Sequence, residues 1–122
     1  MAPTNDLTAE SLSQRGLDLL AAGSPAAAAE SFRAAIKADP TLIEAYHGLV
    51  RALRDAGQLN QSIAAALALT VLTPGDPLAQ TALSISLQHA GQVPQAEAAA
   101  ARARVLEWKI QLQSPPDEES LP

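Results

Sequence analysis

Few residues in this chain have the type and spacing to do chemistry. Its only histidines are His47 and His89, and the stretch EAYH sets Glu44 and His47 at i, i+3 on one helical face. Carboxylate metal sites use that spacing, with a Glu-x-x-His pair on each of two helices and further glutamates turned inward. Here the second pair and the extra glutamates are missing. His89 lies further along a different helix, displaced by roughly 12 Å along the axis at ~1.5 Å per residue. Two such side chains leave a coordination shell incomplete. The histidines read as a solvated lining of a groove, and no metal or cofactor is expected.

Arg51 and Arg54 are the second candidate. Three positions apart on one helix, they are surface neighbours. Paired guanidinium groups suit a carboxylate, because their planar forks match its two oxygens. The plainer reading is two solvated arginines satisfied by Asp55 or Glu44. Covalent chemistry has less to work with. The chain has no cysteine, which removes disulfides, a thiolate nucleophile and cysteine metal sites. It has no glycine-rich phosphate loop, G-x-S-x-G turn or paired-acid arrangement. An enzyme is not expected.

Composition decides what kind of element carries these residues. Alanine dominates, apolar residues make up 48% and aromatics only 2%. Such a core is thin and needs close backbones, which suits helices packed through small side chains better than a sandwich or barrel. The 122 residues are enough for one domain. A net charge of −5 with scattered Lys and Arg speaks against nucleic acid and against an anionic membrane surface, since both need a basic patch. No apolar run reaches the ~18 residues of a membrane span. The opening MAPTNDLTAE lacks the basic and apolar stretches of a secretory signal. The expectation is a soluble, cytoplasmic protein.

Gly23, Gly57 and Gly91 follow one another at 34 residues, and so do Pro40 and Pro74. Two independent landmarks on one period mark a repeat architecture. Before each glycine runs a helical pattern: Leu12, Gly16, Leu19 and Leu20, then Tyr46, Leu49 and Leu53, then Leu83, Leu87 and Ala90. A second helix follows each glycine, closed in the first two units by DP and TPGDP. Each glycine is predicted to take the left-handed backbone that ends one helix before the chain reverses. Pro25 and Pro94 then fall in the first turn of the next helix. Each unit is a helical hairpin.

This spacing resembles the tetratricopeptide repeat, whose pattern is W-x2-L-G-x2-Y, then A-x3-F, then P. The unit at about 9–42 matches with Leu12, Gly16, Leu19, Ala28, Phe32 and Pro40, and has Arg15 at the leucine slot. The unit at about 43–76 supplies Tyr46, Leu49, Leu53 and Pro74 and departs at Val50, Ser62 and Ala66. The unit at about 77–110 supplies Leu83, Leu87 and Ala96, departs at Gln80, Ser84 and Ala100, and has Trp108 in place of the closing proline. Alanine for phenylalanine in the last two units predicts sparse packing there. The resemblance implies an all-α fold of three hairpins in a short right-handed superhelix over residues 8–113. Residues 1–7 are read as a flexible N-terminus, with Thr8 or Asp6 capping the first helix. Residues 114–122 are read as a disordered, acidic, proline-rich tail.

The resemblance also implies a function: a non-enzymatic adaptor whose first helices line a concave groove that holds a partner peptide or protein. On that geometry unit one presents Ser13, Leu17 and Leu20. Unit two presents Glu44, His47, Arg51 and Arg54, and unit three Leu78, Thr81, Ile85 and Gln88. Some family members grip the acidic C-terminus of a heat-shock chaperone with lysines, arginine and asparagines. That clamp is not matched, because Ser13, Leu17, Gly48, Leu78 and Ala82 stand in its slots. The alternative is a structural subunit or homo-oligomer built through the last helix, AEAAAARARVLEWKIQLQ. There Val105, Trp108, Ile110 and Leu112 form a second candidate interface. This helix is predicted to run to about Gln113. Its apolar end either folds back to cap the third unit or docks a partner or second copy, and the cap is the first expectation.

Overall fold

The computed structural model describes residues 8–113. The expectations for residues 1–7, Asp6 among them, and for 114–122 lie outside the described residues. Between these limits the chain forms α1 (Ala9–Ala21), α2 (Pro25–Ala38), α3 (Ile43–Asp55), α4 (Leu59–Leu72), α5 (Pro77–His89) and α6 (Val93–Gln113). The first helices of the units start at 9, 43 and 77 and the second helices at 25, 59 and 93, so both rows keep the 34-residue period.

Local chemistry sets the helix ends. Thr8 caps α1, its hydroxyl oxygen accepting from the Ser11 amide at 3.1 Å. Asp76 caps α5 by accepting from the Leu78 amide at 2.9 Å. Pro25 and Pro77 open α2 and α5, positions where an N–H has no helical partner to lose. Each hairpin turn is a Schellman motif. In the middle one the Gly57 amide donates to the Arg54 carbonyl at 3.0 Å and the Gln58 amide to the Leu53 carbonyl at 2.8 Å. That pattern needs left-handed backbone at the glycine, and Gly23, Gly57 and Gly91 have φ of 79°, 77° and 77°. Helices α2 and α4 stop at Ala38 and Leu72, just before Pro40 and Pro74, because the residue ahead of a proline disfavours helical backbone. Beside Pro40, Asp39 accepts from the Thr41 hydroxyl at 2.6 Å and amide at 3.0 Å. The hydroxyl bond first, then the amide bond, hold its carboxyl below the usual range. This turn is therefore supported at neutral pH and loosened as acid protonates Asp39.

One ring organises the first junction between units. Phe32 of α2 is fully buried. A Cβ added to Gly16 of α1 or to Gly48 of α3 would stand 2.6 Å or 2.3 Å from that ring. Glycine at both positions lets two first helices close on one aromatic side chain, and Leu12, Leu49 and Leu53 pack around it. At the second junction Ala66 takes the phenylalanine slot, while Val50 stands where unit one has Gly16 and Ala82 where unit two has Gly48. Val50 and Ala66 are buried with Leu83 and Leu87. The departures expected to leave this unit sparse are one exchange of volume between facing helices, which cores accept.

Buried serines tie the same helices together. Ser31 donates to the Leu12 carbonyl at 2.7 Å, Ser62 to the Val50 carbonyl at 2.8 Å and Ser84 to the Ala96 carbonyl at 2.7 Å. The hydroxyls of Ser62 and Ser86 lie 2.8 Å apart, joining α4 to α5. Among the described residues no buried side-chain polar atom lacks a partner.

Curvature follows from which helices touch. First helices contact first helices, α1 with α3 and α3 with α5, whereas the backbones of α2, α4 and α6 stand apart from one another. The first helices therefore form the inner row and the second helices the splayed outer row. Between α2 and α4 the gap is crossed by Arg33, which hydrogen bonds Gln61 and pairs with Glu30. Between α4 and α6 it stays open, as described below.

The outer ends of the stack differ from the junctions inside it. Leu49 and Leu83, which face the preceding unit, are buried; the same position in unit one is Arg15, and it is exposed. At the other end Glu97 and Arg104 occupy the positions of Ala29 and Ile36, and both are exposed where Ala29 is buried and Ile36 partly so. The departure at Arg15 follows from having no unit packed on that face among the described residues.

The last helix corrects one expectation. It runs unbroken to Gln113, as tryptophan in the proline position allows. It does not turn back over unit three: Trp108 is 63% exposed and Leu112 71%. A continuous helix carries its side chains outward past the end of the hairpin, so Trp108 is not a cap.

Candidate partner-binding groove

The inner row sets α1, α3 and α5 side by side, and the same helical positions of each contribute to one surface. Leu17 of α1, Glu44 and Arg51 of α3, and Leu78, Ile85 and Gln88 of α5 are exposed. His47, Arg54 and Thr81 are half-buried. Two candidates stand apart from this solvent-facing set. Ser13 is buried, and Leu20 is half-buried against the cluster around Phe32, so its first contribution is packing.

The central charges are lightly held. Arg51 Nε lies 3.7 Å from Asp55 Oδ2, one turn along α3, and both side chains are well exposed. Such a pair contributes about 0–1 kcal/mol and yields readily to a better-placed carboxylate. The Thr81 hydroxyl is taken up within its helix, donating to the Pro77 carbonyl at 3.1 Å. The surface thus carries two arginines three positions apart on α3, in the row between Leu17 of α1 and Leu78 and Ile85 of α5. Among the described residues no group of three or more His, Cys, Asp or Glu gathers where an ion could sit, and no helix is long and apolar enough to cross a membrane.

A second surface was not foreseen in full. On the outer row Leu67 and Val71 of α4 and Val105 and Trp108 of α6 are exposed. The signal was present in the repeat. At the same three outward positions unit one carries Glu30, Arg33 and Lys37, unit two Ala64, Leu67 and Val71, and unit three Ala98, Ala101 and Val105.

A tetratricopeptide repeat family model matches residues 19–85, more than half of the chain, and the chain belongs to that family. Solved structures agree on the fold. The MamA protein superposes with a TM-score of 0.82 at 19% identity, over 97% of this chain and 63% of that one. The second TPR of Spaghetti (RPAP3), bound to the HSP90 peptide SRMEEVD, gives 0.74 at 17% identity over 84% and 94%. The Yersinia enterocolitica type III secretion translocator chaperone SycD, in an alternative dimer, gives 0.75 at 20% over 85% and 77%. The chain spans less than two thirds of the length of the MamA structures. No curated protein matches it. The family supports a protein-interaction role, and the solved structures show the fold.

Proposed function

We propose that the chain is a non-enzymatic adaptor that holds an extended segment of a partner protein against its inner row of helices. The carrying observation is Arg51 and Arg54 side by side on α3 between the exposed apolar side chains of α1 and α5. The recognised feature is a carboxylate, seated on the two guanidinium groups by charge-assisted hydrogen bonds. Leu17, Leu78 and Ile85 take apolar groups on either side of it, while Glu44, His47 and Gln88 supply polar contacts at the rim. The RPAP3 neighbour, bound to a peptide with an acidic end, supports this class of ligand. The different residues in the clamp positions of this chain point to a different partner. The role suits a cytoplasmic protein.

The test is a binding titration of the partner recovered with the wild-type chain. Arg51→Glu with Arg54→Glu is expected to weaken binding by more than about 1.5 kcal/mol, the scale of charged hydrogen bonds, with helicity unchanged. Asp55→Ala, which frees Arg51, is expected to tighten it. Wild-type affinity in the double variant would sink the groove reading.

A further inference from the structure

The outward face of α4 and α6 is apolar where a solvated helix should be charged. Unit one shows the solvated version, Glu30, Arg33 and Lys37, with Arg33 bridging to its neighbour. Units two and three replace all three charges, leaving Leu67, Val71, Val105 and Trp108 exposed, with Leu112 beyond. On α6 the residues Ala98, Ala101, Val105, Trp108 and Leu112 follow the alternating three-and-four spacing with which one helix meets another. The gap between α4 and α6 holds a cavity of about 330 Å³ lined by Ile63, Leu67 and Ala98, and a second of about 360 Å³ lies between α6 and the start of α5, lined by Pro74, Gln80 and Val105; Arg102 lines both. Apolar patches of this extent on a soluble surface mark an interface.

We propose that this face docks a second copy of the same chain, with the two α6 helices antiparallel about a two-fold axis. Charge complementarity selects that occupant. Glu97 and Arg104 are exposed and lie seven residues apart on one edge of the stripe, the edge away from α4. They are roughly 10 Å apart along the axis at ~1.5 Å per residue, too far to pair with each other. An antiparallel copy sets Glu97 of each chain opposite Arg104 of the other, forming two ion pairs from one arrangement, as an isologous interface requires. The same register lays Ala98 over the other copy's Ala101 and Val105 over its Pro94. Trp108 then reaches past the end of the other copy's α6, over the turn at Gly91. The α4 helices of both copies fall on the same edge, bringing Leu67 and Val71 into the contact. In this register about residues 93–106 of the two α6 helices face each other, roughly 21 Å at ~1.5 Å per residue, and two helices of ~10 Å width give a footprint on the order of 400 Å². That is about half the ~800 Å² per partner of a standard interface and fits a weak, reversible dimer.

Sedimentation velocity across a concentration series tests this, with the fluorescence of Trp108, the sole tryptophan, as a second readout. The wild-type chain is expected to dimerise, with Trp108 emission shifting to the blue as dimer forms. Val71→Asp with Trp108→Asp is expected to be monomeric with an unchanged melting temperature at low concentration, since both residues are exposed in the monomer. Glu97→Arg alone and Arg104→Glu alone should each weaken dimerisation at least tenfold, and the two together should restore it. A wild-type chain that stays monomeric to roughly 100 μM overturns the proposal. So does a dimer indifferent to the Val71/Trp108 substitutions, or a charge swap without recovery. Arg51→Glu with Arg54→Glu should leave the dimer intact, so failure of the groove reading and failure of this one are separately visible.

Discussion

At the scale of single residues, Phe32 and the two glycines facing it behave as one unit. Truncating Phe32 to alanine is expected to cost about 3–5 kcal/mol, the range for deleting a buried aromatic. Gly48→Ala alone should cost about 1–3 kcal/mol, because the new methyl meets the ring at 2.3 Å. The double variant should be more stable than the sum predicts, since the second junction already works with Ala66 against Ala82 and Val50. Denaturant melts of the four-member cycle measure the coupling; strict additivity would show that ring and glycine do not share this space. The same residues mark a limit of sequence reading. The family pattern picks out Phe32 and Gly16 one unit at a time, so Val50 and Ala66 look like two defects. Only the packing of α4 against its neighbours reveals that they compensate.

At the scale of helices and turns, the period was plain in the sequence because glycine and proline act on backbone alone. Gly57 takes φ of 77° whatever surrounds it, and a Cβ there would meet nothing within 4 Å. Substitution should therefore cost only conformational energy. Gly57→Val is expected to lose more than about 1 kcal/mol, and Gly57→Asn distinctly less, because asparagine tolerates left-handed backbone. Equal melting curves for the two variants would contradict the assignment. The serines make a second, directional prediction. Ser62 donates to the Val50 carbonyl, so the hydrogen between the two hydroxyls comes from Ser86. Ser86→Ala leaves Ser62 still bonded and should change stability little. Ser62→Ala strips Ser86 of its buried acceptor and should cost about 1–3 kcal/mol. The fate of Trp108 could not be read this way: at the end of a repeat array the period supplies no following unit whose fit decides between covering and protruding.

At the scale of the whole molecule, the place of the proposed groove residues on the inner row was legible because helical position alone decides which side of α1, α3 and α5 faces inward. Leu20 shows the cost of that shortcut, since its position is shared between groove and core. The outer face went unread because its signal is the loss of Glu30, Arg33 and Lys37 equivalents, visible only when units are aligned against each other. The contact pattern has a further consequence, for cooperativity. Every helix touches only its neighbours one or two places along the chain, and the apolar interior is split into a cluster around Phe32 and another around Leu83 and Leu87. No contact joins the first hairpin to the last. Such a chain closes only short loops as it folds, so it should fold fast for its length. It can also open from one end while the other stays shut, as a linear array of coupled units does. Native-state amide exchange should then report a graded profile. Protection should be highest in α3, which contributes to both clusters through Leu53 and Val50, and should fall along α6 toward Gln113.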